Sequence, residues 1–92
     1  LIVYSIGAVL YAMLTGKSPF AKASLLETLN AVINEPAEPI RKLNPHVDRE
    51  LAAICMKAMA KNKTQRYASA GKMAEALDNY LARLINRGHK VA

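Results

Sequence analysis

Val3-Tyr4-Ser5-Ile6-Gly7-Ala8-Val9-Leu10-Tyr11-Ala12-Met13-Leu14-Thr15-Gly16-Lys17-Ser18-Pro19-Phe20 decides how the rest of this chain is read. From Val3 to Leu14 it carries no charged side chain, so a helix here has almost no solvent face and belongs at the centre of an assembly. Gly16 can take the left-handed conformation that ends helices, and Pro19 follows it. Gly7 and Ala8 in the interior leave room for a neighbouring backbone. The apolar run from Leu1 is about 14 residues, short of the roughly 20 that a membrane-spanning helix requires. It also lacks the charged leader and small-residue cleavage site of a secretory signal.

Three further helices are predicted outward from it. Ser24 with Glu27 forms a capping box at the head of the second, whose Leu26, Leu29, Val32 and Ile33 share a face before Pro36 stops it. Between Pro36 and Val47 three prolines and no periodicity predict a loop crossing the surface. Asp48 caps the third helix, with Leu51, Ile54, Cys55, Ala58 and Met59 at three-and-four spacing. Ser69 caps the fourth, which carries Met73, Leu77, Leu81, Leu84 and Ile85 along one side and ends at Gly88, leaving residues 86–92 as a tail. No stretch alternates with period two. The fold class expected is all-α, about four helices and no sheet.

The chain has 92 residues, 52% hydrophobic and 22% charged, which indicates a folded segment of marginal independent stability. Its single cysteine, Cys55, allows no internal disulfide and lies on the predicted core face, where it reads as a small hydrophobe; a cytoplasmic setting is the default. The net charge of +6 invites an acidic partner, yet the basic residues are scattered with no run of five, and nucleic acid is not an expected partner. The chain starts at Leu1 inside the apolar pattern, which reads as a cut.

Several motifs are only apparent. Tyr11 to Ser18 ends in Gly-Lys-Ser but lacks the first glycine and the preceding strand of a phosphate-binding loop. Asp48 in His46-Val47-Asp48 is explained by helix capping, because Arg49 and Ala53 stand where a catalytic loop needs leucine and asparagine. Asn62-Lys63-Thr64 has the outline of a glycosylation acceptor and carries no weight outside a secretory compartment. His46 and His89 have no ligand-spaced companions, so no metal site is expected.

Val3-Tyr4-Ser5-Ile6-Gly7 heading an apolar helix, Leu14-Thr15-Gly16 with Pro19-Phe20 at its exit, Leu51 to Ala60 followed by Lys61 and Asn62, and Gln65-Arg66-Tyr67-Ala68-Ser69-Ala70 stand in an order that resembles the serine/threonine protein kinases. The first is similar to the central helix of the kinase large lobe, and the second to its exit. The third is similar to the next-to-last helix, and the fourth to the arginine turn before the last. The likeness runs from about residue 2 to 84 and has a bacterial, eukaryotic-type flavour.

This resemblance implies that residues 1–92 are a fragment of a kinase catalytic domain, from the C-terminal part of the large lobe. The complete enzyme would transfer the ATP γ-phosphate to protein Ser or Thr, with ATP and Mg held by residues that lie N-terminal to this segment in the family. The chain itself would then hold no catalytic, cofactor or metal residues. It would support the remainder of the kinase domain.

Arg66 would form a structural ion pair with a glutamate of the activation segment. Lys17, Phe20 and Lys22, beside the peptide-substrate groove, would be docking contacts. Ile2 departs from the aspartate that the family places before Val-Tyr-Ser, which marks either a non-native boundary or a lost support of the active site. Two rivals are kept. One is a stand-alone helical interaction module whose exposed apolar first helix is covered by a partner or by self-association. The other is a basic DNA-binding domain, which the long loop from Lys61 to Ala68 disfavours.

Overall fold

The computed structural model describes residues 2–20 and 22–91, with side chains as far as Arg87. Among these residues every regular element is helical: α1 (Ile2–Thr15), α2 (Leu25–Asn34), α3 (Ile40–Leu43), α4 (Arg49–Ala58), a 3-10 turn (Lys63–Gln65) and α5 (Ala70–Val91). The four predicted helices are present. The one-turn α3 and the 3-10 turn were not anticipated.

The helix ends follow their local chemistry. Ser24 Oγ accepts from the Glu27 backbone N–H at 3.2 Å, Asp48 Oδ1 from Glu50 N–H at 3.5 Å, and Ser69 Oγ from Lys72 N–H at 3.1 Å. Gly16 closes α1 with φ +74° and donates to the Ala12 carbonyl at 2.8 Å. The expected stop at Gly88 does not occur. The helix α5 runs on to Val91 through the region expected to be a tail.

Packing joins α1 to α4, α4 to α5, and α3 to both α1 and α4, with α5 also touching α1; α2 enters none of these pairings. Val3, Gly7 and Tyr11, four residues apart, form the buried stripe of α1. Gly7 is the point of closest approach: a Cβ there would lie 2.9 Å from Ala58 Cβ and 2.9 Å from Met59 Cγ. The rest of α1 is not enclosed. Ile2, Val9 and Met13 remain 70%, 61% and 77% exposed, so the helix is covered along one side and bare along the other.

The segment between Pro36 and Val47 is a partial correction to the sequence reading. It does cross the surface, with most of its side chains exposed, but it holds the one-turn α3 and is strapped to the core by Ile40 and Val47, which are both buried. Backbone polar groups beneath it are satisfied by side chains, which lets an aperiodic segment lie against the core. Tyr11 donates its hydroxyl to the Glu38 carbonyl at 2.7 Å, and Asn44 Nδ2 donates to the Leu14 carbonyl at 2.9 Å. The α2 stripe of Leu26, Leu29, Val32 and Ile33 faces solvent, and Ala31 is the buried residue of that helix.

Candidate functional site

The loop from Ala60 to Tyr67 is shaped by Asn62. Its Oδ1 accepts from Thr64 N–H at 3.0 Å and from Thr64 Oγ1 at 2.7 Å, which nucleates the 3-10 turn and aims Arg66 back toward α1. Arg66 Nε donates to the Ala60 carbonyl at 2.7 Å and Nη2 to the Lys61 carbonyl at 3.4 Å. The guanidinium lies 4.9 Å from the centre of the Tyr4 ring.

Arg66 is thus half-buried and held by carbonyls and a π face, worth roughly 0.5–2 kcal/mol for the ring contact alone. No described carboxylate pairs with it. Tyr4 is the other unusual member. Its hydroxyl is buried without a hydrogen-bond partner, and burial pushes its pKa up against the opposing pull of the Arg66 charge. Ile2, Val3, Lys63, Arg66 and Ser69 line an open groove of about 520 Å³ beside this turn.

Lys17, Phe20 and Lys22, the docking residues implied by the family resemblance, do come together. They line a groove of about 470 Å³ between the exit of α1 and the strap, with Glu35 and Glu38 on its other wall. Lys17 is exposed, and Lys22 Nζ sits 3.8 Å from Glu35 Oε1. Phe20 is different: the ring is 6% exposed and belongs to the core, so only the two lysines offer surface.

The residue that the sequence reading missed is Lys61. Its ammonium lies 3.9 Å above the centre of the Phe20 ring and donates to the Ala31 carbonyl at 3.3 Å and to the Val32 carbonyl. Burial, with the Arg66 charge nearby, lowers its pKa, and Glu35 partly offsets this. The only sequence signal was its place after the last apolar residue of α4, which reads equally well as an exposed helix end.

Cys55 lies where expected. It is fully buried, Sγ is 3.2 Å from the Gly7 carbonyl, and burial pushes the thiol up to about 11, far from nucleophilic readiness. His46 is exposed; the His89 side chain lies outside the described residues. Among the described residues no three His, Cys, Asp or Glu side chains converge as a metal site would require, and no helix is long and apolar enough to cross a membrane.

No protein-family profile matches the chain. Individual relatives do. The chain is 38% identical over 80 residues to the tyrosine-protein kinase MasK of Myxococcus xanthus, covering 87% of this chain and 12% of that protein. It is 37% identical over 78 residues to a probable serine/threonine-protein kinase PknB of Bifidobacterium longum, covering 85% and 11%. With the PknB of Mycolicibacterium smegmatis the identity is 39% over 71 residues, covering 77% and 11%. The chain therefore spans only about a tenth of the length of these curated relatives. Over most of its length the chain is thus similar to a segment of bacterial protein kinases, consistent with a fragment from the C-terminal part of a kinase domain.

Proposed function

We propose that this segment is a structural base of a serine/threonine protein kinase, without phosphoryl-transfer chemistry of its own. One observation carries the reading: α1 is uncharged from Val3 to Leu14, yet only one side of it is covered by α4 and its neighbours. A helix of that composition is stable when a larger body encloses it. The complete enzyme would transfer the γ-phosphate of ATP to protein Ser or Thr, and a cytoplasmic location suits its unpaired thiol. The donor set here does not fit a magnesium nucleotide, since neither a glycine-rich turn after a strand nor converging carboxylates are among the described residues. Lys17 and Lys22 would face a protein substrate from the rim of their groove.

The test is a transplant. Residues 2–85 replace the corresponding segment of the Mycolicibacterium smegmatis PknB kinase domain, and autophosphorylation with Mg-ATP is measured beside nucleotide titration of the isolated chain. Activity within about tenfold of the unmodified kinase, with no nucleotide binding by the chain alone, is the expected result. A folded, monodisperse transplant that is inactive, or an isolated chain that transfers phosphate, would overturn the proposal. The rival reading, a self-associating helical module, draws on the same bare face, and an active transplant excludes it.

A further inference from the structure

We propose that Lys61 is a latch that holds α2 to the Arg66 turn, and that α2 loosens as a unit when this latch opens. The proposal rests on how little else attaches α2. It takes part in none of the extensive helix pairings, and of its ten residues only Ala31 is buried. Leu25, Leu26 and Ile33 are 76%, 78% and 71% exposed, so its apolar stripe contributes little adhesion.

Lys61 meets α2 where a helix is best held by a cation. Ala31 and Val32 belong to its last turn, at the negative end of the helix dipole; the Ala31 carbonyl also accepts from the Glu35 N–H at 2.9 Å, while Pro36 has no N–H to give Val32. The ammonium donates to both while resting on Phe20, itself a core residue. Two weaker ties lie near the ends of the helix: Thr28 Oγ1 accepts from Lys22 N–H at 3.1 Å, and Lys22 pairs with Glu35 at 3.8 Å in solvent. Exposed pairs of that kind are worth about 0–1 kcal/mol.

The latch is also connected to α1. Arg66 Nη2 donates to the backbone carbonyl of Lys61, and the Arg66 guanidinium stacks on Tyr4 of α1. A continuous set of contacts thus runs from Tyr4 through Arg66 and Lys61 to the end of α2. Displacing the arginine turn moves the ammonium off its two carbonyls, so the order of α2 reports on the state of Arg66. This inference does not depend on phosphoryl transfer.

Hydrogen exchange read by mass spectrometry in the full-length protein tests it, comparing peptides from α2 (25–34) and α4 (49–58). Lys61→Met keeps the aliphatic body over Phe20 and removes the donors; α2 amides then exchange about tenfold faster while α4 is unchanged. Lys61→Arg restores most of the protection. Arg66→Lys also accelerates α2, and combining it with Lys61→Met adds less than the sum of the two. Unchanged α2 exchange in Lys61→Met overturns the latch, as does equal acceleration in α2 and α4. Strict additivity in the double variant overturns the link to Arg66.

Discussion

Gly7 is the residue where the packing of this fold is decided. Its missing Cβ lets α1 settle against Ala58, Met59 and the Cys55 carbonyl, and a Gly7→Ala change puts that atom 2.9 Å from a backbone-anchored Cβ that cannot swing away. Two effects then compete. Alanine favours the helix by about 0.5–1 kcal/mol, whereas overpacking of this kind costs about 1–3 kcal/mol. Overpacking is the larger effect, and Gly7→Ala is expected to destabilise the protein by about 1–2 kcal/mol in urea unfolding, with Gly16→Ala destabilising through strain at φ +74° instead of contact. The need for a small residue at position 7 was legible in the sequence, because glycine inside an apolar helix has few other uses. The environment of Arg66 was not. Its carbonyl acceptors at Ala60 and Lys61 come from the shape of a loop, and no periodicity encodes them.

Helices were readable wherever they carry their own cap. Ser24, Asp48 and Ser69 each mark a start that the structure confirms, because the capping bond is local and needs nothing from the rest of the chain. The strap and α3 were not readable, since Ile40 and Val47 are buried by long-range packing under Tyr11 and Asn44 bonds that span 27 and 30 residues.

Asp48 joins the local and the long-range case. Besides capping α4, it accepts from Tyr80 Oη at 3.3 Å and faces Arg87 at 3.5 Å, while Glu50 pairs with Arg83, so the head of α4 and the outer half of α5 are clasped together. These ion pairs are largely exposed, and the cap outweighs them. Asp48→Ala should cost about 0.5–2 kcal/mol, and Asp48→Asn, which keeps the cap and removes the charge, less than about 0.5 kcal/mol. Chemical denaturation of both variants decides the matter; an Asn variant as weak as the Ala variant would place the stability in the clasp.

At the scale of the whole molecule the apolar surface is unbalanced. α1 leaves Ile2, Val9 and Met13 bare, α2 leaves Leu25, Leu26, Leu29 and Ile33, and α5 leaves Leu81 and Ile85 at 52% each. A groove of about 390 Å³ between Ile6, Val9, Met13 and Leu77 is almost wholly apolar. Isolated monomers seldom leave contiguous patches larger than a few hundred square ångströms, so the 92-residue chain alone is expected to self-associate at micromolar concentration. Sedimentation velocity across a dilution series, with far-ultraviolet circular dichroism on the same samples, measures this.

The variant Val9→Glu with Met13→Glu separates assembly from folding. Both positions lie on the bare side of α1, away from the Val3, Gly7 and Tyr11 stripe, so charge there should shift the chain toward monomer while its helicity is kept. In a complete kinase domain the same pair should be damaging, because an enclosing body would bury two carboxylates without partners. A chain that is monomeric before the substitution would show that the bare side of α1 tolerates water. The structural-base reading would then lose its principal support.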